Sequence, residues 1–346
     1  MSLHILDPLL DRRWDDLAAS HPRSSIFHSR AWLQALARTY GYRPMVATGT
    51  PAGRPLSGGI IFCEVDSWIT GNRLVSLPFS DHAEPLLNET TGVIEIAEWM
   101  RSARGQNRWR YIELRPVLWD APRDFPARPS RSFWLHDLSL EPPLGKIFDK
   151  LHRNCLQRRI RRAEHAQLSY ENGRSESILN DFYQLLLMTR KRHCLLPQPR
   201  AWFRNLADCM GSGLNIRLVR KDGVPIAAIL TMLHRGTAVY KYGCSDAKFH
   251  HLAGMPLLLW KLIEESKAAG AEQVDFGRTD LNNEGLIEFK DRFGTIRRKI
   301  TYLRFPEHSA GKCLSGSNLP VVRRIFSVMP GAISSLAGKL AYRHAG

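Results

Sequence analysis

The stretch VDFGRTDLNNEGLIEFKDRFG, residues 274–294, runs from an alternating strand directly into an amphipathic helix. Charged side chains crowd this junction: Arg278 ends the strand, and Glu284, Glu288 and Lys290 follow in the helix, where we expect them to lie close together. A connection that served packing alone would need none of these charges. The stretch therefore predicts an α/β fold with a polar cleft at the end of a strand.

The elements around this stretch occur twice, in the same order. The second set comprises the hairpin NIRLVRKDG and VPIAAILTMLH, the strand AVYKYGCSD, a helix near residues 255–269 and the strand QVDFGR. The first set comprises the hairpin RPMVATGT and PLSGGIIFCEV, the strand RLVSLPFSD, a helix near residues 91–104 and the strand YIELR. The matching order predicts two duplicated α/β units, each a mixed, mainly antiparallel sheet with flanking helices.

The length of 346 residues favours two domains rather than one. Pro142 and Pro143 interrupt the strand FWLHDLSL before a helix, which predicts a boundary there. We expect an N-terminal domain over residues 1–140, a second domain over 141–308 and a basic amphipathic tail over 309–346. The two domains are expected to pack across a shared cleft.

The cysteines and the termini bear on the compartment. Six cysteines are scattered, without a Cys-x-x-Cys pair or a ligand-like spacing of Cys and His. This pattern indicates neither a zinc site nor a disulfide framework, so we expect a reducing compartment and no bound metal. The N-terminus lacks a signal-peptide pattern, and no apolar run approaches the length of a membrane span. These features predict a cytoplasmic protein.

The charge of the chain implies an anionic partner. The formal net charge is +16 and the pI is about 9.9, which fits nucleic acid, a phosphorylated substrate or an acidic membrane leaflet. Much of the charge lies in KLHRNCLQRRIRRAEH, residues 150–165, where Glu164 is the first acid. As a helix, this run is either a solvated element beside a domain boundary or an anion-binding surface.

Four segments together resemble one known family. The segments NCLQRRIRRAEHAQL, RKRHCLLPQP, YKYGCSD and FGRTDLNNEGLIEFKDRFG resemble FemAB-type proteins, which carry tandem domains of the GNAT acetyltransferase superfamily. The exopolysaccharide-associated branch of that family is the most similar. The resemblance spans most of the chain and is strongest over residues 145–305. It implies that each domain has a hairpin, a third strand, a crossover helix and a splayed parallel strand.

The resemblance also implies a function. It implies transfer of an acyl or aminoacyl group to an amine, with acyl-CoA or aminoacyl-tRNA as donor substrate and no tightly bound cofactor. The implied acceptor is an amino sugar or peptide of a cell-envelope polysaccharide or peptidoglycan precursor. Two alternatives stay open: an acyl-CoA-dependent N-acetyltransferase in exopolysaccharide biosynthesis, and a non-catalytic GNAT scaffold that binds RNA or assembly proteins. A charged cleft at residues 278–290 favours an enzyme, whereas a cleft filled by side chains favours the scaffold.

Acyl transfer to an amine needs a proton acceptor and groups that stabilise the tetrahedral oxyanion. Carboxylates at loop or helix-start positions are candidates for the first role, and cations and a phenol for the second. The candidates are Asp246, Asp280 and Glu284 for the base, and Arg278, Lys290 and Tyr242 for the oxyanion or a donor phosphate. Structural roles remain open as well: Asp280 or Asn282 as a helix cap, Glu284 as a favourable first-turn charge and Lys290 as a solvated helix residue.

GNAT proteins cradle the donor pyrophosphate with a Gln/Arg-x-x-Gly-x-Gly/Ala loop before a helix. The corresponding loop here reads HLAGMP, residues 251–256. Gly254 matches, His251 replaces Gln or Arg, and Pro256 removes one N–H donor. This half match and the basic helix shift the expected donor from CoA toward a tRNA-like or other bulky donor. The donor-binding candidates are His251, Gly254, Lys241, Arg158 and Arg161.

Alternation along AVYKYGCSD assigns its side chains to two faces of the strand. Tyr240, Tyr242 and Cys244 should share one face, and Lys241 should lie on the other. Both tyrosines are therefore expected on the same side of the sheet.

Three residues are candidates for acceptor binding. Asp81 and His82, in LPFSDHAEPL, follow a strand and could line an acceptor pocket or cap neighbouring structure. His193, in RKRHCLLPQP, could act as a base at a helix end or as a favourable charge at a helix C-terminus.

The end of the chain is basic and apolar. After Glu307 it has no acidic residue, and apolar side chains alternate with Arg323, Arg324, Lys339 and Arg343. Such a segment suits docking on an anionic membrane face, or a pair of short helices packed on the second domain. The family resemblance implies a donor, with tRNA among the candidates, and an envelope glycan or peptide precursor as partners, and the basic end of the chain adds the inner face of the membrane.

Overall fold

The structure, a computed structural model, describes residues 3–87, 93–106, 109–306, 338 and 340–344. These residues form two compact units. The first unit holds the described residues up to 132 together with 300–306 and 340–344, and the second holds 133–299 and 338. Neither unit is therefore one continuous stretch of chain. Most of the predicted tail falls outside the described residues.

The first unit is an α/β unit. Its elements in chain order are β1 (His4–Leu6), α1 (Arg13–Ser20), α2 (Arg30–Tyr40), β2 (Arg43–Thr48), β3 (Gly58–Val65), β4 (Arg73–Val75), β5 (Leu86–Leu87), α3 (Val93–Gln106), β6 (Tyr111–Leu114) and the start of β7 (Arg128–Ser139). Its strands follow the order β1-β2-β3-β4-β6. Strands β4 and β6 are parallel, and the other neighbours are antiparallel.

The second unit continues from the rest of β7. Its elements are α4 (Leu144–Lys150), a π-helical turn (Arg153–Gln157), α5 (Arg158–His165), β8 (Ser169–Gly173), α6 (Glu176–Arg192), α7 (Arg200–Met210), β9 (Leu214–Lys221), β10 (Val224–His234), β11 (Thr237–Ser245), a 3₁₀ turn (Ala247–Leu252), α8 (Gly254–Ala268), β12 (Gln273–Asp280), α9 (Glu284–Asp291) and the start of β13 (Ile296–Phe305). The strand order is β7-β12-β11-β10-β9-β8. None of the helices in the described part of the chain is long and apolar enough to cross a membrane.

The two units repeat one pairing pattern. In each, a hairpin (β2–β3 or β9–β10) adds a third antiparallel strand (β4 or β11). A helix (α3 or α8) then leads to a fourth strand (β6 or β12) that runs parallel to the third. The predicted fold class, two tandem α/β units with mixed and mainly antiparallel sheets, is confirmed.

Helix α8 forms the centre of the core of the second unit. Leu258, Leu259 and Ile263 are buried along it and pack in one cluster with Val219 of β9 and Phe276 of β12. Burial of each such side chain contributes about 1.5–3 kcal/mol. The helix is therefore fixed against the sheet, and its first turn lies at a defined place beside the strands.

Strands β11 and β12 diverge after a short parallel contact. They pair only from Thr237↔Gln273 to Val239↔Asp275. Farther along, β11 stays paired with β10 as far as Ser245, and β12 stays paired with β7 as far as Asp280. The expected splay between the two parallel strands is thus present, and it opens a gap beside the carboxyl ends of both strands.

A β-bulge in β11 overturns the expected alternation of its side chains. The register against β10 shifts between Leu230 and Thr231, so Lys241 is the extra residue between Tyr240 and Tyr242. Tyr240 packs on the side of α8, with its ring centroid 6.1 Å from that of Phe276. Tyr242 packs on the other side, against α7. The prediction that the two tyrosines share a face is therefore wrong.

Candidate functional site

Strand β12 is kinked near its end, and hydrogen bonds from Lys290 stabilise the kink. The register against β7 shifts between Asp275 and Arg278, and Gly277 takes a φ of 72°, which favours glycine. The Asp275 carboxylate accepts the Gly277 N–H at 2.6 Å. Lys290 is only 2% exposed, and its Nζ donates to the carbonyl oxygens of Gly277 at 2.9 Å and Arg278 at 3.2 Å. A buried ammonium therefore fixes the backbone at this strand end.

The Arg278 side chain projects just beyond the kink. Its guanidinium carbon lies 4.5 Å from the centroid of the Phe133 ring, and the side chain is half-buried. Stacking on an aromatic face limits the orientations of the planar guanidinium. Such an arginine is suited to binding an anionic group in a fixed geometry.

The two carboxylates predicted near Arg278 are both exposed. Asp280 ends β12, and its backbone carbonyl accepts the Asn283 N–H at 3.0 Å. Helix α9 begins at Glu284, and Asn283 caps it by accepting the Leu286 N–H at 3.3 Å. The alternative role of Asp280 as the helix cap is therefore wrong, and both carboxylates remain accessible to a ligand.

The expected cluster of Glu284, Glu288 and Lys290 does not form. Glu288 pairs with Arg292 one turn later, and Glu284 is exposed at the helix start. Lys290 instead points into the protein. Residues two positions apart on a helix face nearly opposite directions, so Glu288 and Lys290 cannot share a surface. This part of the sequence-based expectation is wrong.

His136, which the sequence analysis did not single out, is buried beside the kink. Its side chain is 0% exposed, and Nδ1 lies 3.5 Å from Asp291 Oδ1 and 3.4 Å from Thr295 Oγ1. Burial, and next the positive charge of Lys290, lowers the pKa of His136 to about 4. The imidazole is therefore neutral at pH 7. Its place in the alternation of FWLHDLSL was the sequence signal that could have marked it as a core residue.

We expect His136 to make the protein less stable in mild acid. The pKa of His136 is lower in the folded state, so its stabilisation is complete above about pH 6.5 and disappears as the pH falls through about 4. The charged groups that face it are Lys290, Asp291, Arg297 and Asp275. Urea unfolding should show that the free energy of unfolding falls between about pH 7 and pH 4.5. In His136→Gln this fall should be smaller by about 1–2 kcal/mol.

The matched control for this experiment is His165→Gln, because His165 is exposed at the end of α5. That variant should keep the pH dependence of the unmodified protein. If His136→Gln also keeps it, His136 does not titrate between the folded and unfolded states in this range.

A pocket of about 290 Å³ opens beside the first turn of α8. The ends of β10 and β11, the 3₁₀ turn and helices α5, α8 and α9 contribute to its lining. The lining residues are Arg159, Ile226, Ala227, Ser245, Phe249, His250, Ala253, Gly254, Met255, Pro256 and Phe289. The first N–H groups of a helix have no partner within it and attract anions, and Arg159 adds a positive charge. The pocket is therefore suited to a phosphate or another anionic group.

Gly254 allows the start of α8 to approach the sheet. A Cβ atom on Gly254 would lie 2.9 Å from Val219 Cγ2 and 3.3 Å from Ala227 Cβ, so a side chain would push the helix away from the strands. Ala253 precedes it with a φ of 57° and turns the chain into the helix. Pro256 lies in the first turn, where an N–H would have no partner within the helix. The loop HLAGMP thus starts a helix tightly packed on the sheet.

The strand end at Ser245 is fixed by hydrogen bonds at the edge of the pocket. Its carbonyl oxygen accepts from Arg192 at 2.9 Å and from the Thr189 hydroxyl at 3.2 Å. Its hydroxyl lies 2.9 Å from His250 Nε2. Burial, followed by the charges of Arg192 and Arg159, lowers the pKa of His250. The imidazole therefore lines the pocket as a neutral hydrogen-bonding group at pH 7.

The structure separates the predicted donor-binding residues. Gly254 lines the pocket. The others lie outside the described lining: His251, Arg158, Arg161 and Lys241. His250 and Arg159, which are next to His251 and Arg158 in the sequence, line the pocket in their place. The π-helical turn Arg153–Gln157 sets the phase of α5, and a periodic helical pattern in the sequence does not reveal such a turn.

Tyr242 and Asp246, both predicted for catalysis, have structural contacts. Tyr242 is 9% exposed, its hydroxyl accepts the Trp202 indole N–H at 2.9 Å, and its ring meets Phe203 edge-on at 5.1 Å. The Asp246 carboxylate accepts the Lys248 N–H at 3.0 Å and so caps the 3₁₀ turn before α8. Their part in the chemistry stays a prediction.

The predicted acceptor-binding residues are distributed over both units. In the first unit, the backbone carbonyl of Asp81 accepts the Tyr302 hydroxyl at 2.7 Å, and the ring of His82 meets Phe27 edge-on at 5.2 Å. In the second unit, His193 ends α6, where burial and two neighbouring arginines lower its pKa. Their role in acceptor binding stays a prediction. Within the described ranges, no group of three or more His, Cys, Asp or Glu side chains could hold a metal ion.

Residues 150–291 match a family model described as Acetyltransferase (GNAT) domain. Among solved structures, FemX is 13% identical with a TM-score of 0.68, over 87% of this chain and 97% of that one. The C-terminal domain (DUF2156) of a putative lysylphosphatidylglycerol synthetase from Agrobacterium fabrum is 16% identical with a TM-score of 0.59, over 90% and 93%. A tandem GNAT protein from the clavulanic acid biosynthesis pathway is 13% identical with a TM-score of 0.55, over 88% and 98%. No curated protein sequence matches the chain.

These similarities confirm the predicted fold, a FemAB-like tandem GNAT architecture. The matched residues 150–291 contain α5, the diverging strands, the pocket beside α8 and Lys290. The part of the chain with the most specific sequence motifs is thus also the part that the family model matches. At these identities the solved structures bear on the fold alone.

Proposed function

We propose that this tandem GNAT protein transfers an acyl or aminoacyl group to an amine, with the donor held in the pocket beside α8. The observation that carries the proposal is the pocket itself, an unfilled space next to a helix start and a cationic side chain. It lies where β11 has diverged from β12. A scaffold would need no unfilled space at this place, so the pocket favours an enzyme over a scaffold.

The reaction forms a C–N bond and breaks the C–O ester bond of aminoacyl-tRNA or the C–S thioester bond of acyl-CoA, and the leaving hydroxyl or thiol group takes up a proton. The amine nitrogen attacks the donor carbonyl carbon, an oxyanion develops, and the amine proton passes to a base. We assign the oxyanion or a donor phosphate to Arg278, because its guanidinium is held on an aromatic ring at a strand end. We assign the proton to Asp280 or Glu284, whose exposed carboxylates lie on the same segment.

Lys290 is proposed to act through the backbone. Its ammonium bonds to two carbonyl oxygens of the β12 kink, one of them on Arg278 itself. The contact fixes the direction in which the Arg278 side chain leaves the strand. Lys290 is therefore a positioning residue in this proposal, and the buried His136 beside it stays neutral and adds no competing charge.

Aminoacyl-tRNA is the donor that we favour, with acyl-CoA as the alternative. Pro256 lines the pocket and offers no N–H to a pyrophosphate. Helix α5 presents a row of exposed arginines beside the pocket, which suits the extended phosphate backbone of a nucleic acid. The exposed members of this row are Arg158, Arg159, Arg161 and Arg162.

The acceptor is proposed to be an amino sugar or a peptide of an envelope polysaccharide or peptidoglycan precursor. This choice rests on the FemAB-like architecture. The exopolysaccharide route with an acyl-CoA donor is the second candidate, because the pocket lies at a helix start suited to a pyrophosphate. We propose a cytoplasmic location, because the cysteine pattern suits a reducing compartment, and a peripheral contact at the inner membrane face, which the basic charge favours.

The donor can be assigned by calorimetry with acetyl-CoA and with mixed aminoacyl-tRNA. Each missing charge-assisted bond costs roughly 1.5–3 kcal/mol, so we expect acetyl-CoA to bind with a Kd above about 10 μM. Mixed aminoacyl-tRNA should bind more tightly at low salt and lose affinity as salt rises. Mass spectrometry of an envelope-precursor extract after incubation would then identify the transferred group.

Two arginine variants test whether the pocket holds the donor. Arg159→Ala should weaken donor binding about tenfold, whereas Arg174→Ala, the same change at an exposed arginine outside both the lining and helix α5, should have an effect of about twofold or less. Equal effects of the two substitutions on donor binding would contradict the proposal that the donor binds in this pocket. A sub-micromolar Kd for acetyl-CoA would establish the acetyltransferase alternative, and binding of neither donor would favour the scaffold.

A further inference from the structure

The turn between β3 and β4 exposes two large apolar side chains. Trp68 is 87% exposed and Ile69 is 51% exposed, side by side at the tip of the turn. Water-exposed tryptophan and isoleucine next to each other are an unfavourable arrangement unless they have a partner. A tryptophan with one apolar and one polar edge is well suited to the interface between lipid and water.

The turn is held in place by its own hydrogen bonds. The Ser67 hydroxyl accepts the Thr70 N–H at 3.0 Å and lies 2.8 Å from the Thr70 hydroxyl. The Asn72 side chain accepts the Ser67 N–H at 3.1 Å, and Gly71 takes a φ of 82°. The exposure of Trp68 is therefore a property of an ordered turn.

The last described residues of the chain are fixed to this turn. The His344 carbonyl oxygen accepts from Arg73 at 2.7 Å and from the Thr70 hydroxyl at 2.9 Å, and its Nδ1 lies 3.0 Å from the Ser67 hydroxyl. The His344 ring meets the Trp68 ring edge-on at 5.9 Å. These contacts place the C-terminal end of the chain beside the exposed tip.

The residues brought together carry positive charge as well as apolar surface. Arg110, exposed, donates to the Thr70 carbonyl at 3.3 Å, and Arg343 is exposed next to His344. Leu340 adds a side chain that is 61% exposed. Asp66 is the acid of the turn, but the segment that ends here has no acid after Glu307 in the sequence and carries Lys312, Arg323, Arg324, Lys339 and Arg343.

We propose that Trp68, Ile69, Arg110, Leu340 and Arg343, named here the turn surface, dock on an anionic lipid bilayer. The apolar side chains would enter the headgroup region, while the arginines would meet acidic headgroups. The two exposed arginines of this surface outnumber Asp66, the acid of the turn, which favours a lipid surface with net negative charge over a neutral one. This inference adds an ordered apolar anchor to the peripheral contact proposed above, and it involves neither the pocket nor Arg278.

The experiment is flotation of the full chain with vesicles. We expect binding to vesicles of phosphatidylglycerol and phosphatidylcholine, and little binding to phosphatidylcholine alone. Trp68→Ser combined with Ile69→Ser should lower the partition coefficient about tenfold or more, because burial of aromatic and aliphatic side chains is lost. Leu10→Ser is the matched control, since Leu10 is also an exposed apolar residue of the first unit, at 82%, and it should change binding by less than about twofold.

Several outcomes would overturn the proposal. Unchanged flotation of the double variant would exclude the turn surface as the anchor, and equal binding to neutral vesicles would exclude the electrostatic part. If the unmodified protein does not bind vesicles but binds a single-stranded oligonucleotide, and the double variant loses that binding, the surface binds nucleic acid instead of lipid. Equal thermal midpoints for all variants show that the fold is intact, and calorimetry with the donor tests the proposed function separately.

Discussion

Replacing Lys290 with methionine is expected to lower the free energy of unfolding by about 2–4 kcal/mol. The side chain is 2% exposed and donates to the carbonyl oxygens of Gly277 and Arg278, and methionine fills a similar volume without a donor. The two carbonyl groups would lose their charge-assisted partner. Urea unfolding measures the change, and the thermal midpoint should fall by roughly 5 °C or more.

The control for Lys290→Met is Lys146→Met, because Lys146 is exposed on α4. That change should alter stability by no more than about 0.5 kcal/mol. From the sequence alone, Lys290 is expected to be a cation for the oxyanion or a donor phosphate, or a solvated residue, and neither role places it in the interior of the protein. Equal stability of the two variants would support that expectation and refute the positioning role described here.

Arg278→Ala is expected to slow transfer about 10²–10³-fold while leaving the fold nearly unchanged. The half-buried guanidinium stacks on Phe133, so its removal should cost about 1 kcal/mol of stability or less. Turnover should be measured beside the thermal midpoint at two salt concentrations, since a general attraction for anions weakens with salt and a fixed contact does so much less.

Two further variants test whether turnover depends on the fixed orientation of the Arg278 guanidinium or only on positive charge in this region. Phe133→Leu keeps the guanidinium but removes the ring below it, and we expect an intermediate loss of about tenfold in turnover. Arg131→Ala removes an exposed arginine from the same strand as Phe133 and should leave turnover unchanged. Full activity of Arg278→Ala would contradict the proposed role of Arg278 in transfer.

The order of elements could be predicted from the sequence because it follows from local patterns. Period-two alternation marks β9, β11 and β12, continuous apolar runs mark β10 and α8, and the repeat of this order in the first unit predicts the duplication. The loop HLAGMP likewise marks the helix start at Gly254, where a side chain would collide with the sheet. These features depend on residues that are close together in the sequence, so local sequence patterns reveal them.

The directions of individual side chains were harder to predict, since bulges and helix phase decide them. One bulged residue, Lys241, sends Tyr240 and Tyr242 to opposite sides of the sheet. A π-helical turn shifts α5 so that Arg159 reaches the pocket, in the place expected for Arg158 or Arg161. Periodic patterns assume regular elements, so such irregularities remain invisible until the fold is known.

The burial of charged and titratable residues was also missed. Lys290 and His136 belong to segments that read as an exposed helix face and an ordinary strand. Lys290 is buried because the kink of β12 leaves backbone carbonyls that need a donor. That requirement arises from tertiary structure, and the local sequence holds no record of it.

The way the chain divides between its units has a consequence for how the protein is made. Strand β6 of the first unit pairs with β13 through Leu303↔Leu114 and Phe305↔Ile112, and these β13 residues come near the end of the described chain. A ribosome synthesising the protein has therefore passed both sets of repeated elements before the first sheet can acquire this strand. Until then β6 keeps an open edge, which is a site for mispairing. The N-terminal half would emerge first and yet be completed last.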